Sequence, residues 1–305
     1  MIQSYTSPRI IHHSTPPHQA LANPKPFSLH FYDREIQEIF SEHYLIRYVV
    51  SGAELLQQEH NRYPLSEGSF FLFNPGQHLK AKSANGKKVI AVNFWIPAHV
   101  LKDVFKSLGE SQSLKGNIPE DAQRHPLFFE QPYESSEYPV EQLIHPIAKK
   151  LSQGEIIHPT QWEYIQAELS TQILLIQDVI YAQMERITSA KLSTRKELYR
   201  RLCMAKSYIH TNLHTPLDLD TLSQVACLSK FHFIRLFKEA FGCTPRQYLI
   251  GRRLDTASQL LIQSNKSFHD ICQEVGLKDS SSFGRLFKRN FGTTPHMYRQ
   301  MHTPA

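Results

Sequence analysis

Residues 229–248, SKFHFIRLFKEAFGCTPRQY, return fifty positions later as DSSSFGRLFKRNFGTTPHMY at 279–298. At that offset Arg235-Leu236-Phe237-Lys238 falls on Arg285-Leu286-Phe287-Lys288, and Phe241-Gly242 on Phe291-Gly292. Thr244-Pro245 falls on Thr294-Pro295, and Tyr248 on Tyr298. Between 217–250 and 267–300, 12 of 34 positions agree. Repetition at a fixed period means one supersecondary unit used twice, which limits the fold more than any other feature of the chain.

The unit reads as two short helices joined by a tight turn. In the first copy Asp218 is a capping residue, and Leu222, Val225 and Ala226 follow at helical spacing. After a turn at Cys227-Leu228, Ser229 caps a second helix with Phe233, Leu236, Phe237 and Ala240 on one face, ending at Gly242. This is a helix-turn-helix pattern. In the second copy Ser267 to Asp270 form a capping box, Ile271 and Val275 are core positions, Gly276 is at the turn, and Asp279 caps the last helix. At this offset Cys272 takes the place of Leu222. Between the copies, Thr244 and Pro245 read as N-cap and first residue of a helix with Ile250, Leu254, Ala257 and Leu261 on one face. Its 18–20 residues give about 30 Å. That length spaces two helices for successive major grooves, which recur about every 34 Å.

Residues 196–299 resemble the DNA-binding domain of the AraC/XylS family of bacterial transcription regulators, on the doubled helix-turn-helix, the R-L-F-K cores and the F-G-x-T-P-x-x-Y tails. The resemblance implies DNA contacts at the exposed start of each second helix: Phe231, Ile234 and Arg235, then Ser280, Ser281, Gly284 and Arg285. Arginine gives guanine two hydrogen bonds, Phe231 and Ile234 offer only apolar contacts such as thymine methyls, and serines bond bases or phosphates. Gly284 has no side chain to reach with. Ser229, Lys230, Thr244 and Thr294 suit phosphates, through helix N-termini and hydroxyls.

Charge divides the same way. Residues 191–305 hold 18 Lys+Arg against 8 Asp+Glu, a balance of +10, and residues 1–190 hold 16 against 20, a balance of −4. A basic module for a polyanion sits on a body with another job. The expected domains are an arm at 1–26, a cupin-like barrel with helices at 27–185, a linker at 186–195 and the DNA-binding domain at 196–305. The fold class is therefore multidomain α+β. The opening residues have no apolar signal-peptide core, and no apolar run approaches the roughly 20 residues that span a bilayer, so a cytoplasmic, non-membrane protein is expected. The four cysteines, Cys203, Cys227, Cys243 and Cys272, lack C-x-x-C spacing and read as core packing. Residues 1–25, rich in Pro and His, read as a mobile arm.

From 27 to 97 short strands alternate with turn signals: Tyr44–Val50, Glu54–Gln57, Tyr63–Leu65, Ser69–Phe73 and Val89–Ile96, with Asn85-Gly86 a hairpin signal. This pattern argues a small sandwich or barrel. The run YPLSEGSFFLFNPGQHLK resembles the cupin-like regulatory barrel of part of the same family. The residues expected to line a small-molecule pocket are Arg47, a charge in an apolar strand; His78, after a Pro-Gly turn; and Asn93 with Trp95, which share a face of the last strand. Glu54, His60 and His78 are too scattered for a cupin metal centre, so neither metal nor cofactor is expected. From 98 to 190 the reading is helical. Val140, Leu143, Ile144, Ile147 and Leu151 form a stripe that Pro146 must kink or restart. Trp162, Ile165, Leu169, Ile173, Ile176 and Ile180 form another, for packing within the chain or, as the resemblance implies, for a homodimer.

These features together predict a DNA-binding, ligand-responsive transcription regulator, an activator that would meet RNA polymerase, with a small-molecule effector such as a sugar and double-stranded DNA as partners. The alternative is a cupin-type metal enzyme fused to a DNA-binding domain. A DNA-alkylation-repair fusion needs an N-terminal reactive cysteine, and residues 1–202 contain none.

Overall fold

A computed structural model describes residues 26–302, apart from 59–60, 112–113, 115–117, 119–126, 189–190 and 278. The expected arm, Pro26 excepted, and His60 lie outside these residues. The chain divides into two compact units, 1–182 and 183–305.

The first unit is two antiparallel sheets. One has the strand order β1 (Phe27–Tyr32), β8 (Val89–Ile96), β3 (Tyr44–Ser51), β6 (Ser69–Phe73) and β9 (Pro132–Glu134). The other runs β2 (Gln37–Ser41), β7 (Gln77–Ser83), β4 (Ala53–Gln58) and β5 (Asn61–Ser66). Period-2 alternation sends one set of side chains between the sheets: Leu45, Val49, Leu56, Leu65, Phe71, Phe73, Leu79 and Ala91 are buried there together. The opposite face of the larger sheet is buried as well. Phe94 stacks on Trp162 at a centroid distance of 6.0 Å, and Phe70 stacks on Tyr133 at 5.0 Å. That second burial explains why β3 and β6 are apolar at nearly every position and carry no alternating pattern.

Gly52 makes the passage from β3 in one sheet to β4 in the other. Its φ is +89°, and a Cβ there would lie 2.5 Å from the Lys88 carbonyl oxygen. The helices of this stretch are α1 (Ala98–Glu110), α2 (Glu141–Ser152) and α3 (Pro159–Glu185). Helix α2 runs as one helix with Pro146 inside it, so of the two expected outcomes, a kink or a restart, the restart does not occur. One expectation is corrected here. The region 98–190, expected to be helical, supplies the three-residue edge strand β9, held by Tyr133 on Phe70 and by the Ser69 hydroxyl on Glu134.

The second unit is helical among its described residues: α4 (Leu192–Thr211), α5 (Leu219–Val225), α6 (Lys230–Phe241), α7 (Pro245–Gln263), α8 (Phe268–Glu274), α9 (Ser280–Phe291) and α10 (Pro295–His302). Helix α4 begins four residues before the expected Lys196. Helices α5–α6 and α8–α9 are the two repeats, and α7 joins them.

The sequence repeat and the structural repeat differ by one residue. Asp218 caps α5 by accepting from the Thr221 N–H, and Ser267 caps α8 by accepting from the Asp270 N–H, an offset of 49. Ser229 and Asp279 occupy the N-cap positions of α6 and α9, an offset of 50. The second turn therefore holds one extra residue. Leu222 matches Ile271, and Cys272, expected at the Leu222 position, matches the buried Ser223. Cys203 and Cys272 are buried, but Cys227 is exposed in the first turn with φ +50°, so the core reading fails for it.

Candidate nucleic-acid interface

Both second helices are oriented by aromatic packing behind them. In α6, Phe233, Leu236, Phe237 and Ala240 are buried, and Phe237 meets Phe241 and Tyr248 edge-on. In α9, Phe283 and Phe287 are buried, and Phe287 packs on Phe291 and Tyr298. Each aromatic tail thus pins the helix to the one that follows. Helix α7 carries a full capping box between Thr244 and Gln247, with Pro245 at its first turn. Its 19 residues span about 28 Å.

The faces turned away from this packing carry Phe231, Arg235 and Arg285. Phe231 is 89% exposed, an unusual position for a large apolar ring. Ile234 is half-buried and Arg235 exposed. Ser229 is exposed at the N-cap without a side-chain cap hydrogen bond, which leaves its hydroxyl uncommitted to the helix. Lys230 pairs with Asp220 at 2.6 Å, and Arg235 donates to Glu239 at 3.2 Å. Thr244 and Thr294 accept from the backbone N–H groups of Gln247 and Met297. On α9, Arg285 is exposed and a Cβ added at Gly284 would meet nothing within 4 Å. The side chains of Ser280 and Ser281 lie outside those described. Sequence reasoning missed Glu239. Its signal is the i+4 spacing from Arg235 on one helix face.

Arginines also lock the unit internally. Arg253, 8% exposed, donates from Nε to the Leu213 carbonyl at 2.9 Å and from Nη2 to that of Thr215 at 2.6 Å. Arg299 does the same for Leu261 at 3.1 Å and Lys266 at 2.7 Å. Arg253 thus ties down the loop that follows α4, and Arg299 joins the last turn of α7 to the loop after it.

Of the four residues expected to line a pocket in the first unit, two come together. Arg47 and Asn93 face each other across β3 and β8, and Arg47 Nη1 donates to Asn93 Oδ1 at 3.0 Å. Arg47 also donates to Glu54, from Nε at 2.7 Å and Nη2 at 2.8 Å, and both residues are fully buried. The Tyr32 hydroxyl donates to Glu54, and Asn93 bonds His30 at 3.0 Å. Burial opposes the charge on Arg47, but Glu54 and Tyr32 outweigh it and hold the pKa above its ordinary value. Burial first, and the Arg47 charge second, lowers the His30 pKa to about 3, so His30 is neutral near pH 7. Trp95 packs on the sandwich core, and its carbonyl accepts from Gln166. His78 is apart from these. It projects, half exposed, from the outer face of the other sheet, 3.8 Å from Glu38. Glu54, Tyr32 and His30 were not among the expected pocket residues.

Residues 222–301 match the family model of a helix-turn-helix domain, and residues 26–144 that of an AraC-like ligand binding domain. Among curated proteins, the probable transcriptional regulator LumQ of Photobacterium leiognathi is 34% identical over 96 residues, covering 31% of this chain and 39% of LumQ. The multiple antibiotic resistance protein MarA of Salmonella typhimurium is 33% identical over 92 residues, 30% of this chain and 72% of MarA. Among solved structures, the DNA-binding domain of AdpA in complex with a target DNA aligns at TM-score 0.32 and 29% identity, covering 33% of this chain and 91% of that one. Two helix-turn-helix units on one linking helix, in a chain that also carries an antiparallel sandwich, define the class. The chain belongs to the AraC/XylS family of transcription regulators. Among the described residues no helix is long and apolar enough to cross a membrane.

Proposed function

We propose that this chain is a cytoplasmic, sequence-specific DNA-binding transcription regulator, an activator, whose first unit takes a small-molecule effector such as a sugar. The observation that carries the DNA reading is the pair of similarly built helices, α6 and α9, each fixed from behind by a buried Phe cluster and linked through the 19-residue α7. The basic balance of residues 191–305 and the name of LumQ, a probable transcriptional regulator, support it. Base contacts fall to Phe231, Ile234, Arg235 and Arg285, with Ser280 and Ser281. Ser229, Lys230, Thr244 and Thr294 take phosphates, and Gly284 leaves room for close approach. The domains we propose are the arm 1–26, the sensor 27–185, the linker 186–195 and the DNA-binding domain 196–305. In the sensor, Arg47, Asn93 and Trp95 belong to the interior where an effector would bind, with His78 outside it. The protein acts as a homodimer and meets RNA polymerase when it activates. In this reading the chain is not an enzyme; of the residues weighed for a cupin metal centre, Glu54 is committed to Arg47 and Tyr32, and His78 lies by Glu38.

Enrichment of a duplex from a random pool by the full chain tests the DNA reading, and a pool that stays random overturns it. On the enriched duplex, Arg235→Ala should weaken binding by about 1–3 kcal/mol, with a smaller loss on random-sequence DNA. Equal losses on both would make Arg235 a phosphate contact. Phe231→Ala should also weaken the enriched duplex. Because the ring is 89% exposed, it should leave stability within about 0.5 kcal/mol.

A further inference from the structure

Helices α6 and α9, the two recognition helices, differ in the charge they place four residues after their shared arginine. Four residues after Arg235 stands Glu239; four residues after Arg285 stands Arg289. The first arginine is held by an acid of its own helix, and the second has a like charge in that place. Glu239 is also engaged on its other oxygen. Oε1 accepts from Arg235 Nη1 at 3.2 Å, and Oε2 accepts from the backbone N–H of Thr188 at 3.3 Å. Thr188 lies in the segment through which the chain enters the second unit. That segment is anchored: Ile187 and Met184 are buried, and Gln183 accepts from the Tyr199 hydroxyl at 2.5 Å.

From these contacts we infer that Glu239 is a positioning residue that ties the entering segment at Thr188 to the DNA-reading Arg235, so that the first recognition helix, and not the second, is coupled to movement of that segment. The inference rests on the DNA-binding reading and adds its regulation. With the segment seated, the Thr188 N–H and the Arg235 guanidinium hold one carboxylate between them, and Arg235 must leave it to reach a base. With the segment withdrawn, Glu239 loses its backbone donor and its fixed rotamer. The lever is small, because the Arg235–Glu239 pair is more than half exposed on the arginine side. An exposed pair at this spacing changes an equilibrium about two-fold. It therefore tunes read-out of one half-site and does not switch it off.

Two measurements on the full chain test this. Hydrogen exchange at the Thr188 amide, measured without DNA, should quicken by about three-fold or more in Glu239→Ala, because its acceptor is gone. An unchanged rate overturns the coupling. On the enriched duplex, Glu239→Gln should tighten binding about two-fold, and this gain should vanish in an Arg235→Gln background. Equal tightening in both backgrounds would mean simple repulsion between Glu239 and phosphate, and would overturn the positioning role. Disturbing the α9 half of the duplex should leave the Glu239→Gln gain intact. Disturbing the α6 half should abolish it, and the reverse result counts against the inference. If no duplex is enriched at all, the DNA-binding reading falls and this inference with it; a changed Glu239 effect alone leaves that reading standing.

Discussion

Arg47→Met should destabilise the first unit by about 3–5 kcal/mol. The substitution nearly conserves volume, so packing loss is not the cause. The cause is Glu54, left fully buried with its countercharge removed and only the Tyr32 hydroxyl to solvate it. Against a typical domain stability of about 5–15 kcal/mol, that is a large fraction. Arg47→Met/Glu54→Leu should be clearly more stable than the single variant, since replacing both partners of a buried pair is often close to neutral. The measurement is direct because both tryptophans, Trp95 and Trp162, lie in the first unit. Urea unfolding followed by tryptophan fluorescence should show a midpoint lowered by more than about 1 M. A shift of a few tenths molar would mean that water reaches the pair.

Gly276→Ala should cost the second unit on the order of 3 kcal/mol. Two effects act at this turn, and the repeat separates them. Gly276 has φ +77°, but the matching Cys227 of the first turn has φ +50° with a side chain, so a left-handed residue is tolerated in this motif. What differs is the wall. A Cβ on Gly276 would lie 2.7 Å from the Leu213 carbonyl oxygen and 2.9 Å from Arg253 Nη2. Cys227 is exposed. Relieving the contact must move the guanidinium that satisfies the carbonyls of Leu213 and Thr215, so steric strain becomes lost hydrogen bonding. Calorimetry should show the helical unit melting lower while the tryptophan-reported transition stays in place. Cys227→Gly, in the same conformation without the wall, should be neutral or slightly stabilising. A cost under about 1 kcal/mol for Gly276→Ala would contradict the close approach.

The helical unit was legible because its signals are local. Asp218, Ser267, Asp279 and Thr244 cap where their chemistry says they should, and the apolar positions of α6 and α9 recur at helical spacing. The extra residue in the second turn was hidden. The identities that reveal the repeat fall mainly in α6, α9 and their tails at offset 50. At offset 49, helices α5 and α8 and their turns share little beyond Gln224 with Gln273 and Leu228 with Leu277. The sandwich was legible in its apolar strands. Strands β2 and β7 bury only alternate residues, β2 exposing Phe40, and β9 is three residues held by one ring stack and one side-chain hydrogen bond beside its strand pairing. The partner of Arg47 could not be read, because Glu54 lies seven residues on in the other sheet and approaches only through the turn at Gly52. Glu239 was readable as a helix-face neighbour of Arg235. Its second partner, the Thr188 backbone, has no side-chain signature.

Two matched helices on one chain should meet successive turns of one duplex face. Selection from a random pool by the full chain, followed by cleavage protection of the enriched duplex, tests this. Two enriched elements about one helical turn apart on the same face are expected, each required for tight binding. A site of one element, with affinity unchanged when its neighbour is randomised, would contradict it.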